Sequence, residues 1–182
     1  KGRKPGAISV LIHGDDFVAV GYRQDIAEFR KSIAERFTIK DKVVGPNIHE
    51  EEIQEARVLN RNLRWKPEGW EYEADQRHVD AIVSAMQVAG GEAVVTAGAN
   101  DEKEHEEDEQ KLEGESITNI RSVCARLNFL AQDRAELQFI SKEISSAMSK
   151  PTYAAHKKLK RVARFLKAHG RAVQMFPWEH GT

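Results

Sequence analysis

Two apolar runs, Ile8-Ser9-Val10-Leu11-Ile12 and Phe17-Val18-Ala19-Val20, are separated only by His13-Gly14-Asp15-Asp16. β-branched runs this short, joined by so few polar residues, favour one arrangement, two antiparallel strands and a tight turn. The turn then carries two adjacent carboxylates at its tip. Gly21 ends the second strand. Asp25 with Glu28 reads as a capping pair for a helix bearing Ile26, Phe29, Ile33 and Phe37 at helical spacing. That stripe is expected to lie on the hairpin.

After Gly45-Pro46 the chain resumes with Val58 to Trp65, a turn at Pro67-Glu68-Gly69, and the alternating run Trp70-Glu71-Tyr72-Glu73, which reads as a second hairpin. From Arg77 the period changes. Val79, Ile82, Val83 and Met86 share a helix face, with Gly90-Gly91 as a stop. Three further helices follow: one on Ile117, Ile120, Cys124 and Leu127; one opened by an Asp133/Glu136 capping box, carrying Leu137, Ile140, Ile144 and Met148 and closed by Pro151; and one on Leu159, Val162, Ala163 and Leu166, ended by Gly170. The fold class expected is α+β: β-hairpins packed on a helix, followed by a mainly α-helical part.

The net charge of -1 over 182 residues argues against a polyanion partner only while it is read as an average. Residues 1–98 carry 14 basic and 16 acidic side chains, residues 99–117 carry 2 and 9, and residues 118–182 carry 12 and 4. A strongly acidic middle therefore cancels a basic C-terminal third. The middle, with Glu104-His105-Glu106-Glu107-Asp108-Glu109, has almost no apolar anchor and reads as a disordered linker over 99–117. Lys157, Lys160, Arg161, Arg164 and Lys167 gather opposite the apolar stripe of the last helix. Charge runs are usually solvated faces, but five cations without a compensating carboxylate favour a nucleic-acid track.

No apolar run approaches the roughly 18 residues of a membrane span. Cys124 is the single cysteine, so an internal disulfide is impossible and a reducing compartment is the default, cytoplasm or nucleus. The chain begins at Lys1 rather than Met, with a core strand following closely. It reads as a piece of a longer chain.

The sharpest chemical feature is Asp15-Asp16. Adjacent carboxylates repel, and a cation would explain the pair; Asp is also common in turns because it tolerates left-handed backbone and bonds its own main chain. His78, His105, His156 and His169 are scattered without ligand spacing.

The residues Ile8 to Gly21 resemble the palm motif of reverse transcriptases, an aromatic, any residue and two aspartates on a β-hairpin, and are most similar to copia-type retrotransposon polyproteins. Ala27 to Asp41 resembles that family's helix ending in Arg-Phe followed by a Lys-Asp segment. Arg57 to Trp65 sits where the primer-grip hairpin belongs. Arg121 to Arg134 resembles the Tyr-Arg-Ser…Gly-x-Leu-x-Tyr-Leu…Arg-Pro-Asp block, and Ser149 to Thr152 and Arg161 to Lys167 continue it. Without the acidic stretch, the resemblance covers about nine-tenths of the chain, and several ordered motifs are more specific than one dipeptide.

The resemblance implies a C-terminal palm part with a primer-grip-like hairpin over 1–75, a thumb-like helix over 76–98, and a helical connection segment over 118–182. It implies an RNA-directed DNA polymerase working by two-metal nucleotidyl transfer, with Asp15 and Asp16 holding Mg²⁺ or Mn²⁺ ions about 3.5–4 Å apart. The implied partners are an RNA or DNA template with its primer, deoxynucleoside triphosphates, and the rest of a polyprotein: the N-terminal palm, the fingers and a ribonuclease H. A third carboxylate has no candidate here, so the isolated segment is expected to be inactive. Lys40 matches the position of a lysine that protonates the leaving pyrophosphate, and is equally well read as a solvated loop lysine. Arg61, Arg64 and Trp65 would steady the primer backbone, or else form an ordinary edge strand.

Four departures stand out. His13 replaces the aromatic Tyr, Gly14 a branched residue, Asn60 a glycine, and Ala135-Glu136 the Pro-Asp of the block. A non-catalytic nucleic-acid-binding or chain-interaction module, or a decayed retroelement remnant, is the competing reading.

Overall fold

The computed structural model describes residues 6–88, 90–98 and 109–179. The expected α+β character is present. The element order is β1 (Ser9–His13), β2 (Asp16–Val20), α1 (Arg23–Ala34), β3 (Val43–Val44), β4 (Glu52–Ile53), β5 (Glu55–Val58), β6 (Arg61–Lys66), β7 (Gly69–Ala74), α2 (Arg77–Ala85), α3 (Glu115–Ala131), α4 (Ala135–Ser146), α5 (Tyr153–Ala168) and β8 (Val173–Pro177). The chain divides into two compact units, Lys1–Glu71 with Met175–Thr182, and Tyr72–Gln174. Strands β5, β6, β7 and β8 follow one another in that order in a four-stranded sheet.

In the first unit β1 and β2 pair antiparallel with His13 opposite Asp16 and Ile12 opposite Phe17. The loop is two residues, Gly14 and Asp15, shorter than the four-residue turn the sequence suggests. Gly14 has φ +62°, as a hairpin with glycine at its first central position requires. Both faces of the hairpin are apolar and open: Leu11, Ile12, Phe17 and Val20 are all exposed. Among the described residues of this unit the buried ones are Gly45, Glu52, Ala56 and Gly69, so no large apolar side chain is buried.

Polar ties hold the unit instead. Arg23 pairs with Glu51 and with buried Glu52, Glu52 also accepts from the Ile48 amide at 3.1 Å, and Arg30 meets Asp41 at 2.9 Å. Helix α1 does not lay a continuous apolar stripe on the hairpin: Ile26, Phe29 and Ile33 are half-buried, none is buried, and Phe37 lies beyond the helix end, 60% exposed. Its Asp25 accepts from the Gly6 amide at 2.9 Å rather than capping its own helix.

The second hairpin contains one more turn than the sequence suggests. The run 58–65 is not a single strand, because the chain reverses at Leu59-Asn60, both at positive φ (47° and 61°), as in a type I′ turn. Strand β5 then pairs β6 antiparallel, with Ala56 opposite Leu63 and Glu55 opposite Arg64.

The second unit is a helical body with an apolar core. Leu127, Leu137, Leu159, Val162, Ala163 and Leu166 have no exposed surface, and Ile82, Cys124 and Ile144 pack with them. Helix α2 stops at Ala85, ahead of Gly90-Gly91, where Gln87 takes φ +52°. The Asp133/Glu136 capping box does not form: Asp133 accepts from the Tyr72 hydroxyl at 2.9 Å, and Glu136 receives Arg134 Nε at 2.7 Å.

Residues 99–108, most of the acidic stretch, lie outside the described residues. The rest of it is not a free linker. Lys111 bridges to Thr152, Leu112 donates to Pro151 O, Tyr153 donates to Gln110 O, and α3 already begins at Glu115.

Candidate functional site

Asp15 and Asp16 sit at the tip of the β1–β2 hairpin, both exposed. The register sets their directions. Asp16 opens β2 directly opposite His13, so these two side chains leave the same face of the pair, while Asp15 occupies the second turn position. Their hard carboxylate oxygens, open to solvent, are donors that could contribute to a Mg²⁺ or Mn²⁺ site. They form at most part of one, because among the described residues no group of three or more His, Cys, Asp or Glu side chains is placed to hold an ion. Lys40 is exposed on the chain between α1 and β3.

Strand alternation separates the three residues assigned to the primer-grip hairpin. Arg61 and Trp65 share one face of β6, and Arg64 points to the other. Arg64 is flanked by carboxylates on both neighbouring strands, with Nε 2.9 Å from Glu55 and Nη1 3.8 Å from Glu71. Arg61 donates to Leu59 O at 3.1 Å, beside the turn. Trp65 packs with Trp178, ring centroids 6.4 Å apart, and Trp178 also meets Trp70 edge-on at 6.0 Å. Nothing in the local sequence around residue 65 announces a partner so far along the chain.

Helix α5 carries its five cations on one stripe, but they divide by environment. Lys157, Lys160 and Lys167 are exposed, with Lys157 Nζ lying over the Tyr153 ring. Arg161 and Arg164 are half-buried beneath residues 91–98: Arg161 donates to Gly98 O at 3.0 Å and Thr96 Oγ1 at 3.1 Å, and a side chain at Gly91 would meet Arg164 Cδ at 2.9 Å. Opposite them Lys158 pairs with Glu143. The exposed cations of the stripe are thus three lysines, while Arg161 holds residues 96–98 and Arg164 lies half-buried against Gly91, its buried Nε without a hydrogen-bond partner among the described residues.

Sequence reasoning also missed Arg134, only 4% exposed, which donates Nη1 to Gly170 O at 3.1 Å and Nη2 to His169 O at 2.8 Å while its guanidinium lies over Phe165. A charged residue beside a broken capping box carries no pattern that predicts burial. Cys124 is buried, and that burial pushes its thiol up to about 11, away from the reactive thiolate form. No described helix is long and apolar enough to cross a membrane.

No family model matches the chain, and comparison with curated proteins and with solved structures gives no match.

Proposed function

We propose that the chain is a segment of a copia-type reverse transcriptase, contributing two of the metal-binding carboxylates of an RNA-directed DNA polymerase. The observation that carries this reading is the glycine-tipped hairpin presenting Asp15 and Asp16 between strands that are apolar on both faces. A hairpin this exposed is marginal alone and is suited to the middle of a larger covered sheet, the setting a polymerase palm provides.

In this reading Asp15 and Asp16 would hold the ions, which when bound acidify the primer hydroxyl and neutralise the triphosphate and its leaving group. His13, facing Asp16, offers a flat ring beside the primer terminus. Arg61 and Trp65 present one face of β6 to the primer, and the exposed lysines of α5 supply charge for the phosphates. Asn60 supports the family assignment despite departing from it: at φ +61° it holds the conformation that glycine adopts freely.

The test is polymerisation on a primed RNA template by a polymerase containing this segment, with Asp15→Asn and Asp16→Asn. Each is expected to abolish synthesis while leaving the helical content unchanged. Retained synthesis would overturn the assignment.

A further inference from the structure

The end of β8 reaches back onto the β6–β7 hairpin in a way that no part of the proposed function uses. Trp178 N donates to Glu68 O at 3.0 Å and Trp178 Nε1 donates to Lys66 O at 3.2 Å, so one residue binds both sides of the 66–69 turn. Its indole touches Trp65 of β6 and Trp70 of β7. Gly69 permits the approach: a Cβ there would overlap the carbonyl oxygen of Phe176 and come within 2.7 Å of Pro177 Cα. No large apolar side chain is buried among the unit's described residues, so this indole packing is an apolar contact that helps to fix the hairpin.

We propose that Trp178 is a positioning residue for nucleic acid on the β6 face, acting by holding the Trp65 ring in place for a base or sugar of the primer. The inference rests on the reading of β6 as a primer-contacting strand. Trp65 and Arg61 share that face, so a Trp65 ring released from Trp178 would swing across the surface where Arg61 meets phosphate. The partner is the terminal part of a primer strand, recognised by stacking and charge and not by sequence.

The test uses the full chain and a fluorescein-labelled DNA primer annealed to an RNA template, read by anisotropy, with amide exchange measured in parallel. Trp178→Ala is expected to weaken binding about fivefold, Trp178→Phe to restore most of it, and the pair Trp65→Ala with Trp178→Ala to be no weaker than Trp65→Ala alone. Exchange at residues 61–66 should rise about tenfold in Trp178→Ala and also in Gly69→Ala, with α3 and α4 unaffected. Additive losses in the double variant, or unchanged exchange in both single variants, would overturn the proposal. If the wild-type chain binds and Trp178→Ala binds equally well, the positioning role alone fails. If the wild-type chain does not bind the primer–template, the primer-grip reading fails and takes this role with it.

Discussion

Glu55 and Arg64 stand directly opposite across β5 and β6, with Arg64 Nε 2.9 Å from the Glu55 carboxylate. With Glu71 on the far side, the Arg64 guanidinium lies between two carboxylates. A cation so placed contributes little to attracting phosphate. Replacing Glu55 with Gln should therefore tighten binding to a primer–template about two- to fivefold, while changing stability by less than ~1 kcal/mol, as for other cross-strand pairs open to solvent on one side. Anisotropy titrations and urea unfolding of the same variant check both parts. Unchanged affinity would mean that Arg64 is remote from any nucleic acid.

The Leu59-Asn60 turn places two side-chain-bearing residues at positive φ. Asn tolerates this region and Leu does not. Leu59→Gly should be neutral or stabilising by up to ~1 kcal/mol, because the strain relieved offsets the larger entropy of the unfolded chain. Asn60→Val should cost about 1–2 kcal/mol, since β-branching is worst in this region. Thermal unfolding of the two variants should move in these opposite senses.

That turn also shows where the sequence was legible. The β1–β2 hairpin could be read because glycine, aspartates and β-branched runs coincide there, and the α2 to α5 stripes because helical spacing of large apolar residues fixes a buried face. The Leu59 reversal could not, because it uses a residue that normally disfavours turns. Helix α1 looked equally amphipathic, yet periodicity reports only which face is apolar and not whether anything thick enough lies beneath it. The α5 stripe has the same limit: spacing places five cations together, and only tertiary packing shows that Arg161 is engaged by Gly98 O and that Arg164 is half-buried against Gly91.

Arg134 closes the C-terminus of α5 by taking the His169 and Gly170 carbonyls in its guanidinium fork. Removing it leaves both carbonyls without that donor and empties the space its nearly buried side chain fills. Arg134→Ala should cost about 2–4 kcal/mol, and Arg134→Lys should recover little of this, because an ammonium cannot bridge two carbonyls in one plane. Equilibrium denaturation followed by far-ultraviolet circular dichroism reads the loss.

His156 on α5 titrates below its ordinary value of 6.5, held there by burial and then by the nearby Lys160 charge. The unfolded chain thus binds this proton more readily than the folded one. Stability should fall as the pH drops below about 6.5 and level off once the folded form is also protonated. His156→Gln should flatten that part of the stability–pH curve. A curve of unchanged shape would show that the imidazole is solvated in solution.

The division of the α5 cations predicts two separable phenotypes. Replacing Lys157, Lys160 and Lys167 with Gln should leave unfolding nearly unchanged and reduce the salt dependence of nucleic-acid binding by up to about one log–log unit for each phosphate no longer neutralised. Replacing Arg161 with Gln removes its hydrogen bonds to Gly98 O and Thr96 Oγ1, and replacing Arg164 removes the stem packed against Gly91. Each of these changes should lower stability by about 1–2 kcal/mol, with a smaller effect on the salt slope. Charge counting from sequence makes the five residues equivalent, whereas burial does not. If the arginine variants changed the slope as much as the lysine variants and left unfolding untouched, the segment 91–98 would not rest on these side chains in solution, and the whole stripe would return as one phosphate track.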